Sequence, residues 1–322
     1  MTTTAATPAP TTTGPARSGS ALPVRLVKSE LLKIWTTNSW WIFGILLVAG
    51  TALTLLINLF VANSQLNEAA ATKARGLPDM TGMDPSQQEL IRNQFAIDSD
   101  LHRVLANVSA NVFTSGQFFG LLFITVLGCL IVTNEFFHQT ATTTFLATPH
   151  RSQVIGSKLA AGAVLGVMFW LITTVIDVAV GAAYFSSTNR DVLLGESTVT
   201  RSILLNLLAF VIWAVLGIGL GVLLRSQLGA TITAAASYLL AYPVAIIFFG
   251  LIRTFVIKDD GVFKAMVLVP GVDSQIMVSP ERIQLGPSVL GPPWWVGGLV
   301  LLAYGVLAGA VGTVLTRRRD IS

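Results

Sequence analysis

The feature that most constrains this chain is a recurring apolar block, about twenty residues long, the length a helix needs to cross the hydrocarbon core of a bilayer. Such blocks lie at about 40–62, 113–133, 159–185, 203–224, 230–252 and 294–315. Hydrophobic residues make up 53% of the 322 residues and charged residues 11%, against roughly 25% charged in soluble domains. A soluble fold of this size could not bury so much apolar surface. The sequence therefore predicts an all-α integral membrane protein: a low-complexity tail over 1–20, then one six-helix transmembrane domain over 21–322. The net charge of +4 does not point to nucleic acid, because much of the basic charge flanks the apolar blocks, the pattern of membrane topology. The single cysteine, Cys129, sits inside an apolar run. It excludes an intrachain disulfide and a multi-cysteine metal site.

The segments between the blocks carry further signals. Residues 1–20 are rich in Thr, Ala, Pro, Ser and Gly and lack an apolar signal-peptide core, so they read as a disordered cytoplasmic leader. Residues 22–38 predict an amphipathic helix in the headgroup layer, with Val24, Val27, Leu31, Ile34 and Trp35 on one stripe and Arg25, Lys28 and Lys33 mostly opposite. Trp40–Trp41 would anchor the first span at the interface. Asp84–Pro85 predicts a helix start, with Gln87 at the capping-box position. Leu90, Ile97, Leu101, Val104, Leu105 and Val108 then continue a helical stripe into the second span. Pro243 interrupts the fifth span. The Pro- and Gly-rich segment 253–293 is long enough for a re-entrant or lid structure. Basic residues before the first span, between spans two and three, four and five, and after the sixth favour termini on the cytoplasmic side.

Sites for several chemistries are missing. The sequence has no phosphate-cradling G-x-x-x-x-G-K-[ST] loop, no H-E-x-x-H, no G-x-S-x-G and no dinucleotide fingerprint. Its three histidines, His102, His138 and His150, are not paired at metal spacing. Enzymatic activity is not expected of this chain alone.

The most informative segment is TNEFFHQTATTTFLATPHRSQVIGSK, residues 133–158. Glu135 follows an apolar run; Phe136–Phe137, His138, Gln139–Thr140, Thr148–Pro149, Arg151 and Lys158 come next. This order resembles the loop between the second and third helices of ABC-2 type transporter permeases. The segment SELLKIWTTNSWW, with Glu30, Lys33 and Thr36–Thr37, resembles the amphipathic helix that precedes the first span in that family, and TRRRDIS resembles its basic tail. The resemblance runs from about residue 22 over most of the chain. His138 before Gln139–Thr140 departs from the usual basic residue and Gly-Thr, which leaves the shape of this turn open. The resemblance implies the ABC-2 type permease fold and a division of labour. A separate ATPase chain binds ATP and Mg, this chain holds no cofactor, and two permease chains pair as a homodimer or heterodimer in the plasma membrane of a bacterial cell. Export is the usual direction in the family. Glu135, Phe136, Phe137, His138, Thr140, Pro149, Arg151 and Lys158 would form the ATPase-coupling loop. Glu135 is expected at a wet surface, where an ion pair contributes only about 0–1 kcal/mol. Two rival readings are a secondary transporter, which would show related halves and several intramembrane charges, and a membrane scaffold or sensor, which needs no coupling loop.

Inside the spans, Asp177 is costly unless paired or wet. It reads either as a polar contact with Asn206, Thr173 or Thr174, or as a cavity group that meets a cationic or polar substrate. Asn206 is a weaker candidate of the same kind. The pairs Gly162–Gly166, Gly217–Gly221 and Gly305–Gly309 are each G-x-x-x-G and allow close helix approach; GIGLG in the fourth span is the best candidate for a special contact.

Overall fold

The computed structural model describes residues 22–140 and 151–318. Helix α1 (Leu22–Trp35) leads into α2 (Ser39–Arg75), α3 (Pro85–Asp98), α4 (Leu101–Phe113), α5 (Gln117–Phe137), α6 (Arg151–Ser187), α7 (Ser197–Leu224) and α8 (Gln227–Ile252). A short helical segment, α9 (Pro270–Val278), and the final helix α10 (Trp294–Arg318) complete the set. Among the described residues, strands are confined to a hairpin pairing Gln284–Gly286 with Val289–Leu290. Six helical stretches are long and apolar enough to cross a membrane, as expected.

The element boundaries differ from the sequence reading in three places. First, α2 has 37 residues, about 55 Å at helical rise, and runs well beyond the apolar block. Residues such as Glu68, Ala69, Ala70, Ala71 and Lys73 are good helix formers, so the helix continues where hydrophobicity stops. Second, the stripe leading to the second span is divided between two helices, α3 and α4. Asp84 caps α3 by accepting from the Ser86 N–H at 2.9 Å, with Pro85 in the first helical position. Asp100 caps α4 by accepting from the Arg103 N–H at 3.1 Å. A second break at Thr114–Gly116 starts α5. Leu90 and Ile97 are exposed, while Val108, Val112 and Phe113 are buried; only the α4 part of the stripe reaches the core. Third, α8 passes through Pro243 as a continuous helix.

The chain packs around α5 and α7, whose apolar windows are 72% and 56% buried, while that of α8 is 6% buried. Glycines set that centre. A methyl on Gly221 of α7 would lie 2.8 Å from the Cys129 carbonyl oxygen of α5, and one on Gly217 would collide with Thr125. Gly219 faces the other way, toward Ala308 of α10 at 2.8 Å. The GIGLG run is thus a two-sided seam within the chain, the intrachain use of such spacings.

Two further apolar clusters lie at the end of the bundle away from α1. One joins Leu55, Ala62 and Leu66 of α2 to Val108 and Phe113 of α4 and Phe185 of α6. The other sits under the 253–293 segment, around Phe263, Met266, Val272 and Leu285. That segment contains a 3-10 helix, Asp260–Leu268, bent by 92° against α9. By length and composition the bent pair fits a broken span or a re-entrant loop. The Tyr304 hydroxyl donates to the Leu268 carbonyl at 2.7 Å, and the Gln117 amide donates to the Ser274 carbonyl at 3.3 Å.

Candidate functional site

The α1 end of the bundle gathers the residues that the two sequence motifs singled out. Helix α1 turns Ile34 and Leu31 into the main core, while Val24 and Trp35 stay exposed. Trp35 stacks on Trp40 across the bend into α2, with ring centroids 6.2 Å apart. The same inward face carries Glu30, which is only 4% exposed. An acid on an apolar face demands a partner, and two lysines supply it.

Glu30 Oε1 accepts from Lys33 Nζ and Glu30 Oε2 accepts from Lys158 Nζ, both at 2.7 Å. Glu135 Oε1 accepts from Lys33 at 2.7 Å and from Lys158 at 2.9 Å. Four charges from α1, the last turn of α5 and the second turn of α6 thus close a ring with no net charge. Lys158 is 2% exposed and Glu135 7%, whereas the side chain of Lys33 is 45% exposed and lids the ring. Burial alone would pull the Lys33 ammonium down. The hydrogen bonds and charges of Glu135 and Glu30 outweigh it and hold Lys33 above its ordinary value.

The burial of Glu135 corrects the wet-surface expectation. The sequence alone puts this carboxylate, at the end of an apolar helix, in water; α1 covers it instead. A recess of about 290 Å³ opens beside the ring, lined by Lys33, Thr36, Asn134, Glu135, His138 and Thr140 among others. Gln227, at the start of α8, donates to Asn134 Oδ1 at 3.1 Å. The α1 end therefore ties together α1, α5, α6 and α8.

Beyond Glu135 the chain turns outward. Phe136 is partly buried, with the Arg225 guanidinium 5.3 Å from its ring centroid. Phe137 and His138 are exposed and meet edge to face at 5.0 Å. Gln139 has φ of 56°, and the Thr140 N–H donates to the Glu135 carbonyl at 2.9 Å. A left-handed residue just past the helix C-cap, which here is His138, sits where glycine is favoured. Gln139 thus holds a backbone conformation that favours glycine. Pro149 lies outside the described residues, as does the side chain of Arg151.

Asp177 has a partner that the sequence reading did not name. It is 1% exposed, and its Oδ2 accepts from the Gly116 N–H at 2.8 Å. Gly116 is the N-cap of α5, so the carboxylate sits on the positive end of a helix dipole and satisfies one of its unpaired donors. Asn58 donates to the Ser115 hydroxyl at 3.0 Å beside it. Asn206 is equally buried, but its Oδ1 meets no donor among the described residues. The signal available in sequence was Thr114-Ser115-Gly116: two hydroxyl residues and a glycine inside an apolar stretch favour a helix break.

No protein-family model matches this sequence, and no curated protein matches it.

Proposed function

We propose that this chain is the permease subunit of an ABC-2 type transporter, an exporter driven by a separate ATPase chain, with two permease chains per assembly. The observation that carries the proposal is the charged ring. Glu30 and Lys33 come from one motif, Glu135 and Lys158 from another more than a hundred residues away, and the two meet side chain to side chain. Residues matched to one family pattern by sequence alone thus serve one structural device. The ring makes α1 and the α1-side ends of α5 and α6 one block. A push delivered beside His138 would move these helices together, as a rigid-body transition requires. Glu135 acts inside that block and orients it; exposed Phe137, His138 and Thr140 offer the contact surface.

The test is reconstitution. The purified chain should hydrolyse no ATP and bind no nucleotide at micromolar concentration. Together with its ATPase in vesicles, hydrolysis should appear and respond to candidate cargo. Turnover by the isolated chain, free of contaminating ATPase, would overturn the proposal.

A further inference from the structure

At the α1 end of the bundle, a cleft of about 600 Å³ lies between the end of α5 and the start of α8. Phe137 closes one apolar span and Gln227 opens another, so the mouth of the cleft sits where hydrocarbon gives way to headgroups. Phe137 and Leu228 stand exposed at that mouth. Leu130 lies about two turns deeper on α5, and Thr231 about one turn deeper on α8. The α8 wall belongs to the span that packs least in the bundle, so the surrounding bilayer reaches the cleft from that side.

The lining carries one formal charge, Arg225, in the link between α7 and α8. Its guanidinium stands 5.3 Å from the ring centroid of Phe136, another lining residue, so the charge is held at the cleft. Arg225 is partly exposed and pairs with no carboxylate among the described residues. The described carboxylates of this end, Glu30 and Glu135, are taken up by Lys33 and Lys158 in the ring. Arg25 and Lys28 of α1 are exposed and add further positive charge. The complement is an anion at the mouth with an apolar body reaching inward. A free anion would leave Leu228 and Phe137 uncovered, and an uncharged lipid would leave Arg225 unpaired. A guanidinium matches phosphate oxygens in charge and geometry. We propose that this cleft binds an anionic phospholipid, its phosphodiester on Arg225 and one acyl chain running inward between α5 and α8 past Leu228 toward Leu130. The site stands apart from the transporter proposal and needs no ATPase.

The experiment places the full chain in phosphatidylcholine nanodiscs with a phosphatidylglycerol probe that carries a diazirine on one acyl chain. After irradiation, labelled positions are mapped by mass spectrometry. Labelling should saturate and fall on Leu130, Leu228 and Thr231. Unlabelled phosphatidylglycerol should compete, whereas inorganic phosphate at millimolar concentration should not. Arg225→Gln should weaken labelling about fivefold, the worth of one cation near a membrane surface. Arg225→Lys, which keeps the charge, should retain most of it. Arg25→Gln, which removes a cation at the same end but outside the cleft, should leave it unchanged. Thr231→Trp fills the cleft and should abolish it; if that variant does not fold, Arg225→Gln against Arg225→Lys decides. Equal labelling by a phosphatidylcholine probe would overturn the inference. So would displacement by inorganic phosphate, equal losses in Arg225→Gln and Arg25→Gln, or cross-links from the cleft to a second copy of the chain. Because no ATPase is present, failure here would leave the reconstitution test unaffected.

Discussion

At the scale of single residues, the cost of a charge depends on what surrounds it. Lys158 is the most enclosed member of the ring, and its removal leaves two carboxylates facing one half-exposed lysine. Breaking a buried ion pair from one side costs about 3–5 kcal/mol; Lys158→Ala should fall near the lower bound because Lys33 remains. Thermal unfolding in detergent, with abundance controlled, measures it. Glu135→Ala should cost less than Lys158→Ala, since Glu30 still faces both lysines. An unchanged melting temperature for Lys158→Ala would mean that the ring contributes nothing to stability. Gln139 offers a change of opposite sign. A side chain held in the left-handed region costs roughly 1–2 kcal/mol, and glycine avoids that cost. Gln139→Gly should therefore stabilise the chain by about 1 kcal/mol, read as a higher melting temperature in the same assay.

At the scale of elements, what was legible in the sequence was whatever hydrophobic length and local capping dictate. The six apolar blocks became six long helices, and Asp84–Pro85 became a capped helix start. That 253–293 holds structure of its own was legible in its length and in its prolines and glycines. Helix extension past Ala62 was hidden because a helix of good formers needs no apolar signal once it is nucleated. The partners of Glu30 and Glu135 were hidden for a different reason. Spacing along one helix identifies a face but not the element that covers it, so nothing in the sequence shows that α1 covers Glu135. The two-sided glycine seam of α7 supports a further prediction. Gly217 faces α5 backbone, which cannot rotate away as a side chain can, so Gly217→Val should separate α5 from α7. Overpacking of this kind costs typically 1–3 kcal/mol, and here two backbones must part, so the loss should reach the upper end. The same change at Gly156, which has open space around it, should be nearly neutral. Equal effects at the two positions would refute the seam.

At the scale of the whole molecule, the chain divides into a rigid centre, a loosely attached flank and a charged hub. The centre is α5 and α7 with their glycine contacts; the flank is α8; the hub joins α1 to the α1-side ends of α5 and α6. Under the proposed function, a separate ATPase would deliver force at the hub and move that block against the loose flank. The most direct test is therefore proximity. Cysteine placed at exposed His138, in the assembled complex with its ATPase, should cross-link to the ATPase through a short bifunctional reagent, and the yield should change between nucleotide-free and ATP-bound states. Cysteine at exposed Leu290, at the opposite end of the chain's fold, should give no such product. Failure of His138→Cys to cross-link to any ATPase, in a complex that still assembles, would contradict the account.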